Sequence, residues 1–281
     1  MTNLLKEYYG LSVDYYRKYK DGIVFFINGD YYYFCKVYFD RSKMSDIFKL
    51  YLKLKEKNIV VHDFIFNSEN ELLSESYVLI KLNYLVTNID LYDVEKFNLL
   101  VSDPVDLKSD FSEEWIKRID YLERQVMELS DCLLINNSFD YYIGIAEILL
   151  NFYNEKYDNA NDIYVVHSFF DSLNTIDFYN PLYFCLGNRY KDIASYIKIN
   201  NDWELLHNLL NQIKENDKVY LFVRLSFPFE YFRTVNGMLI DGIDELKMLE
   251  FVESIDKYEK YLLKLEDYFG YKIFYWIKKD N

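Results

Sequence analysis

Two runs of β-branched and aromatic residues, 23–27 and 30–39, are separated only by Asn28-Gly29. Both residue types tolerate the positive φ angles that the central positions of a type I′ turn require, so the pair reads as a β-hairpin. A preceding run, 13–19, is set to join it through Asp21-Gly22. Residues 45–57 then place Ile47, Leu50, Tyr51 and Leu54 at helical spacing, with Ser42 or Ser45 as the cap. Residues 60–66 and 76–82 read as a further strand pair around a polar turn at 67–71. Three strands, one helix and two strands follow one another, and few architectures accept that order.

Beyond residue 83 the pattern turns helical. Long amphipathic stretches at 111–134 and 139–153 are interrupted by Asn136-Asn137-Ser138, where Ser138 reads as an N-cap. Short strand-like runs lie at 163–167 and 182–186. From 190 onward helices dominate, with Pro228 expected to kink or end one of them and 245–268 forming one long closing helix. The expected fold class is α+β in the order of a protein-kinase-like, bilobal fold. A small antiparallel five-strand lobe with one helix would occupy 1–85, and a larger, mostly helical lobe 86–281.

Composition mainly excludes. The 30 Tyr and 22 Phe stand beside only 8 Gly and 3 Pro. Tyr and Phe have A/T-rich codons and Gly and Pro G/C-rich ones, so the tyrosine count reads as genome composition rather than function. A net charge of −14 opposes generic nucleic-acid binding, which needs cations to replace phosphate counterions. Cys35, Cys132 and Cys185 sit singly in apolar runs, as buried thiols of a reducing compartment do. His62, His167 and His207 make no zinc-type spacing with them, and no metal site is expected. No signal peptide and no stretch long enough to span a membrane is read, so a cytoplasmic chain is expected.

Phosphoryl transfer on such a fold needs a strand lysine for the phosphates and a helix carboxylate to orient it. It also needs an Asp to accept the hydroxyl proton, and an Asn with a second Asp for Mg²⁺. Lys36 occupies the third-strand place, but the helix offers only Asp46 and Glu56 at its ends, and the first turn has only Gly22. The catalytic-loop candidate runs from His167 to Asn174. Aminoglycoside and choline kinases carry His, an Asp two positions later and an Asn five beyond that. Here His167 and Asn174 keep the spacing, whereas Phe169 stands in the Asp position and Asp171 lies two residues further on. The metal-binding Asp should follow the strand near 182–186, where the chain reads Gly187-Asn188; Asp177 only mimics it. Phenylalanine neither accepts a proton nor holds a cation, so a normal kinase mechanism is not expected. ATP and Mg²⁺ enter only under the alternative of an active small-molecule phosphotransferase that uses Asp171 or Asp177.

Three segments carry a resemblance. Ser138-Phe139-Asp140-Tyr141-Tyr142-Ile143-Gly144-Ile145-Ala146-Glu147 resembles a helix with a Tyr-Tyr pair before Gly and Ala-Glu. Arg189-Tyr190-Lys191-Asp192-Ile193-Ala194-Ser195-Tyr196-Ile197 resembles an Arg-Asp-Leu-Ala-Glu-Tyr-Ile segment, with Ser195 where Glu is usual and Lys191 where Arg is. Arg224-Leu225-Ser226-Phe227-Pro228-Phe229-Glu230-Tyr231-Phe232 resembles an Arg-Leu-Leu-Phe-Pro…Tyr-Phe signature. Together they are similar to the spore-coat-associated, kinase-like proteins of the CotS/YutH type, distant relatives of aminoglycoside phosphotransferases. That resemblance implies a bilobal fold, a role in sporulation and coat proteins as partners; with both catalytic carboxylates missing, the chain is expected to be a catalytically degenerate kinase-like protein, a pseudokinase, that acts by binding or scaffolding in spore coat assembly.

Overall fold

A computed structural model describes residues 1–85, 88–99, 111–129, 132–158, 163–168, 170, 172–242 and 245–277. In chain order, α1 (Thr2–Tyr9) precedes β1 (Tyr16–Tyr19), β2 (Gly22–Ile27), β3 (Asp30–Lys36), α2 (Arg41–Glu56), β4 (Asp63–Ile65), β5 (Tyr77–Leu82) and α3 (Leu91–Phe97). Next come α4 (Phe111–Leu129), α5 (Leu133–Lys156), β6 (Tyr164–His167), the four-residue α6 (Thr175–Phe178), a 3-10 turn (Pro181–Tyr183), β7 (Phe184–Gly187) and α7 (Tyr190–Asn200). The chain ends with α8 (Trp203–Leu210), α9 (Glu215–Ser226), α10 (Phe229–Asp241), α11 (Glu245–Glu253) and α12 (Ile255–Phe269). Contacts group these into two units, Met1–Ser109 with Asp162–Ile199, and Asp110–Asn161 with Asn200–Asn281.

The first unit is built on an antiparallel sheet of order β1-β2-β3-β5-β4, the five strands expected. Its centre is the Asn28-Gly29 hairpin, where φ is 54° and 89°, both in the left-handed region. Ile23, Phe25, Phe34 and Leu79 share one face by strand alternation, and Leu5 of α1 completes a buried cluster on it. Each such side chain contributes roughly 1.5–3 kcal/mol when fully removed from water. The opposite face carries Tyr33, Cys35 and Ile80. It meets α2 through Phe64 of β4, whose ring lies 5.2 Å from Tyr51 in an edge contact. Asp40, not a serine, caps α2: its side chain accepts the Lys43 N–H at 2.9 Å. The face read from spacing, Ile47, Leu50, Tyr51 and Leu54, is buried together with Met44.

The second unit is helical. α5 packs against α4, α9 and α11, and α12 against α9. The expected break at Asn136-Asn137-Ser138 does not occur. Ser138 lies inside α5 with its hydroxyl bonded to the Leu134 carbonyl at 2.7 Å and to the Tyr231 hydroxyl at 2.7 Å. Those bonds satisfy the group that would otherwise compete with the helix. Pro228 takes the N-cap place of α10 just after α9 ends, as its missing N–H allows. The closing helix is two, α11 and α12, parted at Ser254. All three cysteines are free and buried. No helix among the described residues is long and apolar enough to cross a membrane.

Candidate functional site

Of the positions that spacing singled out, His167, Asn174, Gly187 and Asn188 lie along the segment from β6 to the start of α7, in the first unit. His167 ends β6 and is fully buried. Its backbone N–H donates to both carboxylate oxygens of Asp192, at 3.1 and 3.2 Å, and Nδ1 lies 2.7 Å from Oδ2 of the same residue. Nε2 lies 2.6 Å from the Phe178 carbonyl oxygen. Each ring nitrogen thus has an oxygen within hydrogen-bond distance inside the core. Phe97 and Phe178 stack on it with centroids at 4.4 and 4.5 Å, and Phe170 and Phe184 stand at 5.7 Å. Loss of one partner of such a buried hydrogen-bonded pair costs about 1–3 kcal/mol, because the polar group left behind is unsatisfied in the interior. His167 and Asp192 thus fasten β6 to α7. Spacing gave His167 no such role; the signal was Asp192 in the first turn of α7.

Asn174 lies where the loop pattern places it, and its side chain works twice. Oδ1 accepts the Ile176 N–H at 2.8 Å and caps α6, while Nδ2 donates to the Tyr19 hydroxyl at 2.8 Å. That hydroxyl donates in turn to Oδ2 of Asp177 at 2.8 Å. Lys20, in the turn between β1 and β2, reaches the same oxygen at 2.8 Å, with Nζ 5.3 Å from the Tyr183 ring centre. The Asp177 side chain is 8% exposed, and its other oxygen, Oδ1, is buried without a donor. Burial pushes the hydroxyls of Tyr33 and Tyr183 above the usual tyrosine range, and the Cys35 thiol up to about 12. Uncharged phenols and an inert thiol therefore line this place.

Lys36 lies elsewhere. It shares the strand face of Phe34, is exposed, and sets Nζ 5.2 Å over the Tyr38 ring. Cys35 and Tyr33 take the face toward Asp177. Gly22 serves a close backbone approach rather than a phosphate loop: a Cβ there would stand 2.3 Å from the Phe34 carbonyl oxygen. Gly187 pairs with Tyr164 in the β6–β7 ladder, where a Cβ would meet Val166 at 3.1 Å. Asn188 accepts the Tyr190 N–H at 2.8 Å at the start of α7. Phe169 and Asp171 lie outside the described residues. Among the described residues no three His, Cys, Asp or Glu side chains gather as a metal site needs. Asp46, the carboxylate near the start of α2, pairs with Lys49 of the same helix at 2.6 Å.

Solved structures superpose on the chain along nearly its whole length. The AMP-bound spectinomycin phosphotransferase APH(9)-Ia superposes with a TM-score of 0.53 at 15% identity, over 95% of this chain and 94% of that one. Choline kinase LicA from Streptococcus pneumoniae gives 0.53 at 8% identity, over 96% and 97%. The gentamicin complex of APH(2")-IIa gives 0.52 at 10% identity, over 96% and 95%. The chain has the aminoglycoside phosphotransferase and choline kinase fold. No protein-family model matches it, and neither does any curated protein. In a phosphotransferase fold the β1–β2 turn covers the phosphates and a β3 lysine holds them. Here that turn is bonded to Asp177, and the side chains that β3 turns toward it are a tyrosine and a cysteine.

Proposed function

We propose that this phosphotransferase-fold protein is a pseudokinase that works by binding rather than by phosphoryl transfer. The reading is carried by one observation: Lys36 stands on the strand face away from Asp177, while the turn that would cover phosphates is held down by Lys20 and Tyr19. The sequence supports it, with Phe169 in the place of the proton acceptor and Gly187-Asn188 in the place of the second metal carboxylate. On this reading residues 1–85 correspond to the small lobe and 86–281 to the large one. The resemblance to spore-coat kinase-like proteins makes spore coat assembly its setting and coat proteins its partners. The chain is then a cytoplasmic protein that becomes spore-associated and needs no ATP or Mg²⁺.

Incubation with ATP, with and without Mg²⁺, tests the catalytic part. No turnover above buffer is expected, and turnover that Lys36→Ala abolishes overturns the reading. In an endospore-forming host, a tagged chain should fractionate with the coat.

One feature favours a second reading, an active small-molecule kinase with relocated groups: Asp177 is buried beside Asn174 with an oxygen unused. That enzyme requires Lys20 to leave Asp177. Its signature is Mg²⁺-dependent phosphorylation of an added aminoglycoside or choline that Asp177→Asn eliminates.

A further inference from the structure

Strand β1 closes one side of the five-strand sheet, and among the described residues no strand or loop pairs with its outer edge. Its register with β2, Tyr19 opposite Gly22 and Tyr16 opposite Phe25, decides where its backbone groups point. Tyr19 and Gly22 close the two-residue turn and exchange both hydrogen bonds, as do Arg17 and Val24 two residues on. Tyr16 and Lys18 alternate with them and turn their N–H and C=O groups to the open edge. Such an edge is a template for another strand, and proteins commonly blunt it with a lysine. Here the surrounding residues are self-complementary instead. Asp14-Tyr15-Tyr16-Arg17-Lys18 carries an acid at one end and two cations at the other, and all five are exposed. Tyr15 is 89% exposed and Tyr16 56%, and no side chain of the five has an ion pair or hydrogen bond among the described residues.

We propose that β1 pairs antiparallel with β1 of a second copy of this chain, joining the two sheets across a two-fold axis at Tyr16. The outward groups of Tyr16 and Lys18 allow three symmetric registers. Centring on Arg17 sets that cation opposite itself, and centring on Lys18 does the same with the lysine; like charges directly opposite are destabilising. Centring on Tyr16 pairs opposites. Tyr16 exchanges two backbone bonds with its counterpart, and Lys18 of each copy comes beside Asp14 of the other, in the bend that leads into the strand. On the other face, by the same alternation, Arg17 of each copy lies over Tyr15 of the other, a cation on a ring. That face already carries an exposed aromatic pair, Phe26 and Tyr31, with centroids 4.8 Å apart. The pairing goes beyond the scaffold role above and does not depend on whether the chain transfers phosphate.

Sedimentation equilibrium of the full chain tests this. The average mass should rise from 34.2 kDa toward twice that value, with half-association on the order of 10 μM, since one strand pair is a small interface. Lys18→Asp sets like charges together at both ends of the ladder and should weaken association by at least about tenfold. Adding Asp14→Lys to it exchanges the charges and should restore the parent's dimer. Tyr16→Pro removes an outward N–H but no bond to β2, so it should abolish the dimer with far-ultraviolet dichroism and urea midpoint unchanged. If those shift, the charge exchange decides alone. A chain that stays monomeric up to about 100 μM overturns the proposal and leaves the edge to an extended acidic segment of another protein. A dimer that Lys18→Asp leaves intact also overturns it, as does failure of the charge exchange to restore what Lys18→Asp loses.

Discussion

His62 shows how much a single side chain determines here. It is fully buried, its Nε2–H donates to the Thr175 carbonyl at 3.0 Å, and Nδ1 accepts the Asn83 N–H at 3.2 Å. The tautomer follows from the partners, since a backbone N–H cannot donate to a protonated nitrogen. Desolvation pushes its pKa down to about 4, against an ordinary 6.5. The unfolded chain therefore binds more protons between those values, and stability rises with pH across that window. The contribution is complete above pH 6.5 and is lost as pH falls toward 4, a difference of about 3 kcal/mol. His62→Gln keeps a donor for Thr175 and removes the titration. Urea unfolding midpoints should fall between pH 6.5 and 4 in the parent and fall measurably less in the variant; parallel profiles would show that His62 does not titrate on unfolding. Nothing around position 62 in the sequence announces this, because Thr175 lies 113 residues away.

At the scale of elements, what could be read from the chain was what local chemistry decides. Asn28-Gly29 fixes its own turn, so the hairpin and its register, Ile27 opposite Asp30, follow. α2 likewise declared its buried face. Ser138 misled because its polarity is local whereas its solution is not: Tyr231, 93 residues on, supplies the partner that lets α5 continue. α1 had no counterpart in the expectation. Eight residues are too few to hold a helix alone, and its stability comes from the sheet it covers. The same division holds in the site. Spacing found Asn174, but the bond from Lys20 to Asp177 spans 157 residues. α1 makes a direct prediction: Leu5→Ala should destabilise the protein by about 2–5 kcal/mol in urea, since Leu5 is fully buried against Phe25, Phe34 and Leu79. A loss under ~1 kcal/mol would mean that α1 is no part of this core.

For the whole molecule, the 30 tyrosines return as a physical property rather than a functional clue. Whatever sets their number, the fold has had to place them. Burial pushes the hydroxyls of Tyr33, Tyr183, Tyr231, Tyr258 and Tyr261 above the ordinary value of 10, and that of Tyr142 up to about 12. In every one the protonated form is favoured in the folded chain, so their contribution is intact below pH 10. It is lost as pH rises through the folded values, because the unfolded chain then binds fewer protons. Several such groups acting together make ionisation and unfolding one event. An absorbance titration at ~295 nm should show the exposed tyrosines ionise gradually near pH 10. The remainder should appear in a steep step that coincides with loss of far-ultraviolet dichroism. In concentrated guanidinium the whole set should titrate as one smooth curve centred on ~10. A folded protein whose tyrosines all follow that smooth curve would contradict the buried hydroxyls, including that of Tyr33 beside Cys35.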